Sequence, residues 1–329
     1  MEERIKTPDG CTIDVDVLAG YRSRLPQIAE DIIQSCSDKG CFNHVDYEPI
    51  PSRDAVVKII DKFLEILFPG YFSPEKLDPV NLNFTIGQSV TQLFSMLAEQ
   101  VNSSLRHDCN RYNLTCQECN EKGFEITLKV LEMVPAIRHL LAADVRASFD
   151  GDPAAKSFDE IIFSYPGIFA ITVYRIAHVL HELDLPMLPR IMTEYAHSKT
   201  GIDIHPGAHI DESFAIDHGT GIVIGETTQI GKNVRIYQGV TLGALSLSPD
   251  ECNQLRGRKR HPTIEDDVII YSGATILGGN TVIGARAVIG GNVWLTESVP
   301  PDTQVLMESP RLIYKKNGSG ECGTVEQDW

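Results

Sequence analysis

The chain has 329 residues, 45 acidic against 29 basic, a formal net charge of -16 and 42% hydrophobic content. Such an acidic surface argues against nucleic-acid or anionic-membrane partners. No stretch reaches the ~18 apolar residues that cross a bilayer, and Met1-Glu-Glu-Arg-Ile-Lys6 lacks the apolar core of a signal peptide, so a cytoplasmic protein with reduced thiols is expected.

Residues 1–200 read as an all-helical domain. Val56, Val57, Ile60, Phe63, Leu64 and Leu67 recur at helical spacing over residues 53–68, and the run stops at Pro69-Gly70. Residues 86–105 repeat the pattern with Ile86, Val90, Leu93, Phe94, Leu97, Val101 and Leu105. His107, Cys109, Cys116 and Cys119 follow. The Cys116-x-x-Cys119 pair has metal-knuckle spacing, but a second knuckle is absent, so a metal site and plain thiols both stand. A helix over 123–143 is expected to break at Pro135, with a turn and restart near Asp152-Pro153. Asp144 falls near its end, where a solvated surface acid is the simple reading. Further helices are expected over 166–183 and 187–199.

From Gly201 the period changes. Ile204, Ile210, Ile216 and Ile222 stand six apart; after a two-residue slip Ile224, Ile230, Ile236 and Leu242 continue, then Ile264, Ile270 and Ile276, then Val282-Ile283 and Val288-Ile289. A period of six suits neither a helix nor a plain alternating strand. It suits a coil with flat sides, three to a turn, each side turning one aliphatic residue to the axis, with Gly, Asn or Asp at the corners. The expected domain is a parallel β-helix over 201–300, following a helical domain that ends at 199–202. The loop 243–262, with Arg256, Arg258, Lys259 and Arg260, interrupts the coil, and a functional segment and a solvated or disordered loop both stand. Residues 301–329 read as a flexible tail.

Stacked coils bring distant side chains into columns. Asp203 and His218 are 15 residues apart, a little under one turn, so the carboxylate is placed to orient the imidazole as a general base. A corner histidine bonded to backbone and a histidine zinc site are the other readings of His205, His209, His218 and His261. Arg260 with His261 is a candidate oxyanion clamp.

These residues lie in motifs that resemble the serine O-acetyltransferases of cysteine biosynthesis, in a long-loop branch. The motifs are Ala142-Ala-Asp144 with Asp152-Pro-Ala154, Tyr174-Arg-Ile-Ala-His178, Asp203-Ile-His-Pro206, Ile216-Asp-His-Gly-Thr-Gly-Ile-Val-Ile-Gly-Glu226, Gly239-Val-Thr-Leu-Gly243, Arg260-His-Pro262 and Ser298-Val-Pro-Pro301. The resemblance implies a left-handed β-helix and transfer of acetyl from acetyl-CoA to the L-serine hydroxyl, with acetyl-CoA as co-substrate, no permanent cofactor and no catalytic metal. It implies His218 as general base paired with Asp203; Asp144 and Asp217 on the substrate ammonium; Arg260 on the carboxylate; His261 and Glu226 nearby; and coenzyme A along Gly243, Ala244, Ser272 and Gly273. It further implies a homotrimer or a dimer of trimers, with helical domains joining trimers and loop 243–262 reaching a partner, and feedback inhibition by L-cysteine. Members that bind O-acetylserine sulfhydrylase end in isoleucine; this chain ends at Trp329, so that partner does not carry over. Other readings are acetylation of another small hydroxyl, such as homoserine or a sugar, and a non-catalytic scaffold.

Overall fold

The computed structural model describes residues 4–6, 12–38, 42, 44, 50–107, 116–245 and 257–308. Two compact units divide the chain, Met1–Glu48 and Pro49–Trp329.

The first unit departs from the all-helical expectation. β1 (Arg4–Lys6) and β2 (Thr12–Asp14) pair antiparallel, with Ile5 opposite Ile13. Two short strand-forming runs flank Pro8-Asp9-Gly10, a turn-forming sequence that the helical reading overlooked. α1 (Val15–Arg22) and α2 (Leu25–Ser35) follow.

The second unit begins with α3 (Arg53–Leu67), capped by the Ser52 hydroxyl on the Ala55 amide, and α4 (Leu82–His107). α5 (Cys116–Gly151) does not break at Pro135 but runs through it. Val134 and Ile137 are buried on either side of the proline, and packing of that face offsets the ~3 kcal/mol an interior proline costs. α6 (Phe158–Ser164) is capped by Ser157, and α7 (Pro166–Glu182) opens on a proline that needs no amide partner. α8 (Leu188–Thr200) ends at Gly201, whose φ of +70° closes the helix left-handed. The last helix thus ends at Thr200, and the first strand of the coil begins at Asp203. Among the described residues no single helix is long and apolar enough to cross a membrane.

The coil is a three-sided prism of parallel strands. Its first side carries β3 (Asp203–Ile204), β6 (Val223–Ile224), β9 (Thr241–Gly243), β12 (Thr275–Leu277) and β15 (Trp294–Leu295). The second carries β4 (His209–Ile210), β7 (Gln229–Ile230), β10 (Thr263–Ile264) and β13 (Val282–Ile283). The third carries β5 (Ala215–Asp217), β8 (Arg235–Tyr237), β11 (Ile269–Ile270), β14 (Val288–Ile289) and β16 (Gln304–Val305).

Register turns the six-residue period into the core. Ile204, Ile224, Leu242 and Ile276 stack on the first side, Ile210, Ile230, Ile264 and Ile283 on the second, and Ile216, Ile236, Ile270 and Ile289 on the third. Ile204 pairs with Ile224 rather than Ile222, so the slip in the sequence is a slightly longer first coil.

Helices and prism share one core. Gly167 lets α7 touch the prism, since a Cβ there would lie 2.7 Å from the Ile216 carbonyl. The Tyr174 hydroxyl donates to Ala208 O at 2.6 Å. Arg175, buried, donates to the carbonyls of Ile210 and Asp211 and to both oxygens of Asp144.

Candidate active site

Asp217 ends β5 and His218 follows it at the corner between the third and first sides. His218 adopts φ +56° and Gly219 φ +87°, and the Gly219 amide turns back onto Asp217 O at 2.7 Å. This tight turn throws His218 outward, with 74% of its side chain exposed, while Asp217 Oδ1 stays 3.8 Å from Nε2. A third group closes on this corner from the helices. Asp152, in the turn after α5, accepts from the Tyr165 hydroxyl at 2.5 Å and the Ala154 amide at 2.8 Å. Those two hydrogen bonds, aided by the nearby charges of His218 and Arg235, hold its carboxyl below the ordinary range, and Tyr165 is pushed up to about 12 in return. Arg235, one coil above, donates to the Ala147 carbonyl at 2.9 Å, and its guanidinium lies against Gly151. Ser148, Gly151, Asp152, Tyr165, Ala215, Asp217 and Arg235 line a single small cleft.

Asp144 does not join them. It is wholly buried, bound at 2.7 and 2.9 Å by Arg175 and at 2.9 Å by the Phe214 amide. Burial pushes its carboxyl up, and the guanidinium works against that. With its oxygens spent inside the core it cannot meet a substrate ammonium; the carboxylate that reaches the corner is Asp152. The sequence held a signal for this, since Asp152 precedes a proline at a helix end, where an acid is left in the turn. Asp203 and His218 form no ion pair either. Asp203 lies on the first side with Arg190 at 3.8 Å, whereas His218 projects from the corner beyond it. Glu194, His197 and Asp203 offer ligand atoms within 4.8 Å of one another, but Arg190 already supplies the positive charge there.

The opposite edge of the first side holds a second group. Glu226 follows β6 and is ion-paired with Arg260. Burial works against the charge on Glu226, but the hydrogen bond and charge of Arg260 outweigh it, so the carboxyl lies below its ordinary value. Thr227, which the sequence reading passed over, accepts on Oγ1 from the amides of Arg260 (2.9 Å) and His261 (3.1 Å). Lys259 Nζ donates to the Thr227 and Pro262 carbonyls. His261 is 8% exposed, and burial together with Arg260 holds its imidazole down at about 4. His205, on the same edge, is also held at about 4, chiefly by burial, and accepts from the Gly207 amide on Nδ1 at 3.0 Å. Both rings are neutral at pH 7.

The residues expected along coenzyme A divide between the same two edges. Gly243 ends β9 and Ala244 follows it, one coil on from Gly225 and Glu226 after β6, while Ser272 and Gly273 precede β12 on the edge where the turn after His218 precedes β6. Gly273 has φ +72°, a conformation that favours glycine, and a Cβ there would lie 2.3 Å from the Asn292 side-chain oxygen. Of the cysteine-bearing segment, His107 ends α4 and Cys119 is buried in the first turns of α5; Cys109 and the Cys116 side chain lie outside the described residues, as do residues 246–256 of the loop and the tail from 309.

One side of the prism, six residues or on the order of 15–20 Å at strand rise, separates the His218 edge from the Arg260 edge. Among the described residues neither edge carries a serine or cysteine nucleophile backed by a base. What they offer is an exposed imidazole for proton transfer, two acids and an arginine with a neutral histidine. On a six-residue-repeat prism, such equipment defines an acyltransferase of the hexapeptide-repeat class.

No family model matches the chain. A plasmid-borne serine acetyltransferase of Synechococcus elongatus is 46% identical over 278 residues, 83% of this chain and 87% of that relative. The Bacillus subtilis serine acetyltransferase is 42% identical over 179 residues, 54% of this chain and 78% of that relative. Among solved structures, serine acetyltransferase isoform 3 of Entamoeba histolytica in complex with cysteine aligns with a TM-score of 0.67 at 34% identity, covering 90% of this chain and 96% of that one. Serine acetyltransferase 1 of the same organism, in complex with L-cysteine, aligns with a TM-score of 0.66 at 36% identity over 83% and 94%. The chain belongs to the serine acetyltransferase family, and its reaction is the acetylation of serine in cysteine biosynthesis.

Proposed function

We propose that acetyl-CoA is the acetyl donor and that His218 is the general base. The imidazole takes the serine hydroxyl proton as the oxygen attacks the thioester carbonyl. The tetrahedral oxyanion then collapses, the C–S bond breaks, and the thiolate leaves as CoA–SH with the proton that His218 took up. Asp152 and Asp217 hold the substrate ammonium beside the base. Arg260 binds the carboxylate, His261 donates to the carboxylate or the oxyanion, and Glu226 aims Arg260 rather than touching substrate. Asp203 lies by Arg190 in the single chain; pairing it with His218 requires a rearrangement when substrate binds. Gly243 and Ala244 on one edge and Ser272 and Gly273 on the other flank the coenzyme A arm.

The carrying observation is that Asp152 and Asp217 line one small cleft, and that His218, which is 3.8 Å from Asp217, also acts electrostatically on Asp152. Because Arg260 and His261 lie on the other edge, one amino acid cannot touch both groups within one prism. A second copy must bring its Arg260 edge to the His218 edge of the first. A closed ring of three copies satisfies every edge, which favours the trimer. L-Cysteine has the ammonium and carboxylate of serine with a thiol in place of the hydroxyl, so the same clamp admits it as a feedback inhibitor; the two cysteine-bound relatives support this.

The test is CoA-thiol release from acetyl-CoA with L-serine, L-homoserine, a simple sugar or no acceptor. Serine-dependent release, competitively reduced by L-cysteine, is expected. Release with a sugar alone would overturn the zwitterion clamp.

A further inference from the structure

We propose that Thr227 is a positioning residue for acyl transfer, fixing His261 as an Nε2–H donor toward an acceptor-only group: the substrate carboxylate or the developing oxyanion. This role rests on the assignment of His261 to the substrate site and adds to it a defined tautomer and the residue that sets it.

Five polar contacts converge on Thr227. Its Oγ1 accepts from the amide of Arg260 at 2.9 Å and of His261 at 3.1 Å. With both lone pairs taken, its hydroxyl proton is left for His261 Nδ1, 2.9 Å away. The Thr227 amide donates to the same nitrogen at 3.1 Å. Its carbonyl accepts from Lys259 Nζ at 2.8 Å. Nδ1 thus faces two donors and carries no proton of its own, so the proton of the neutral ring sits on Nε2. The ring packs closely over Gly225, where a Cβ would come within 2.0 Å of Cδ2 and 2.2 Å of Nε2, so this pose depends on that glycine. Thr227 thereby ties the re-entering limb of the interrupting loop to the coil below and orients the one histidine on that limb.

Loss of the hydroxyl strips an acceptor from two amides and a donor from Nδ1. Two variants separate hydroxyl from methyl. Thr227→Val is expected to lower kcat/KM for L-serine about 10–100-fold with KM for acetyl-CoA unchanged, and Thr227→Ser to restore most of it. Imidazole 15N NMR of histidine-labelled enzyme, with the His261 resonance identified by its loss in His261→Gln, should show a bare Nδ1 and a protonated Nε2 at pH 7 in the wild-type protein. Wild-type kinetics in Thr227→Val, a Thr227→Ser as impaired as Thr227→Val, or a protonated Nδ1 in the wild-type protein would each overturn the proposal. Because the last reading needs no variant, a Thr227→Val that fails to fold still leaves a decisive measurement. If His261→Gln itself leaves serine kinetics untouched, the site assignment falls and this role with it. If His261→Gln is impaired and Thr227→Val is not, only the present inference fails.

Discussion

At Asp152 the chain leaves α5 and enters a turn, and the local contacts there separate it from Asp144. Tyr165 and the Ala154 amide keep Asp152 ionised, while Asp144 is consumed by Arg175. Asp152→Asn is therefore expected to raise KM for L-serine by about 10–100-fold, the loss of a charge-assisted contact, with KM for acetyl-CoA unaltered; steady-state kinetics with each substrate varied would show it. Removing the base is a different matter. His218→Ala should lower kcat about 10²–10⁴-fold with little change in melting temperature, since 74% of the His218 side chain is exposed. Inactivity accompanied by loss of fold would speak against the assignment.

A third expectation at this scale concerns pH. Burial depresses His205 and His261 from the ordinary 6.5 to about 4 in the folded protein. Between those values the unfolded chain binds more protons than the folded one, so stability rises with pH through this window. Acidifying from pH 7 toward 4 should lower the melting temperature progressively, and His261→Gln should flatten that slope. A melting temperature level from pH 7 to 4.5 would contradict the assigned environments.

Among the elements, α5 and α7 matter most, because they fasten the helices to the prism. Arg175 alone joins Asp144 of α5 to the carbonyls of Ile210 and Asp211. Arg175→Met should destabilise the fold by about 3–5 kcal/mol, leaving Asp144 charged and unpaired in the core. The double change Asp144→Leu with Arg175→Met should be much milder. Urea unfolding of the three proteins would read this out; equal destabilisation by the single and double variants would show that the pair is not coupled. The helices were legible because apolar residues at helical spacing mark a buried face wherever they occur. The passage of α5 through Pro135 was not, because it depends on what lies across from Val134 and Ile137, and residues 116–151 do not contain that information.

For the whole molecule the decisive geometry is that the His218 group and the Arg260 group stand on two edges of one prism. His218→Ala and Arg260→Ala variants should each be nearly inactive alone. Co-expressed, they should recover a substantial fraction of activity, since some interfaces then pair an intact His218 edge with an intact Arg260 edge. No recovery from verified mixed oligomers would mean that the site closes within one chain. The prism was legible in the chain alone: aliphatic residues six apart can all be buried only on such a coil, and a run like Asp217-His218-Gly219 carries its own tight turn. Packing across the molecule set the rest: Asp152 rather than Asp144 lines the corner cleft, Asp203 lies by Arg190, and Thr227 hydrogen-bonds His261. Each of those outcomes depends on which side chain from a distant coil or helix arrives opposite. A local pattern sets the direction of a side chain; the partner that claims it is set by packing across the core.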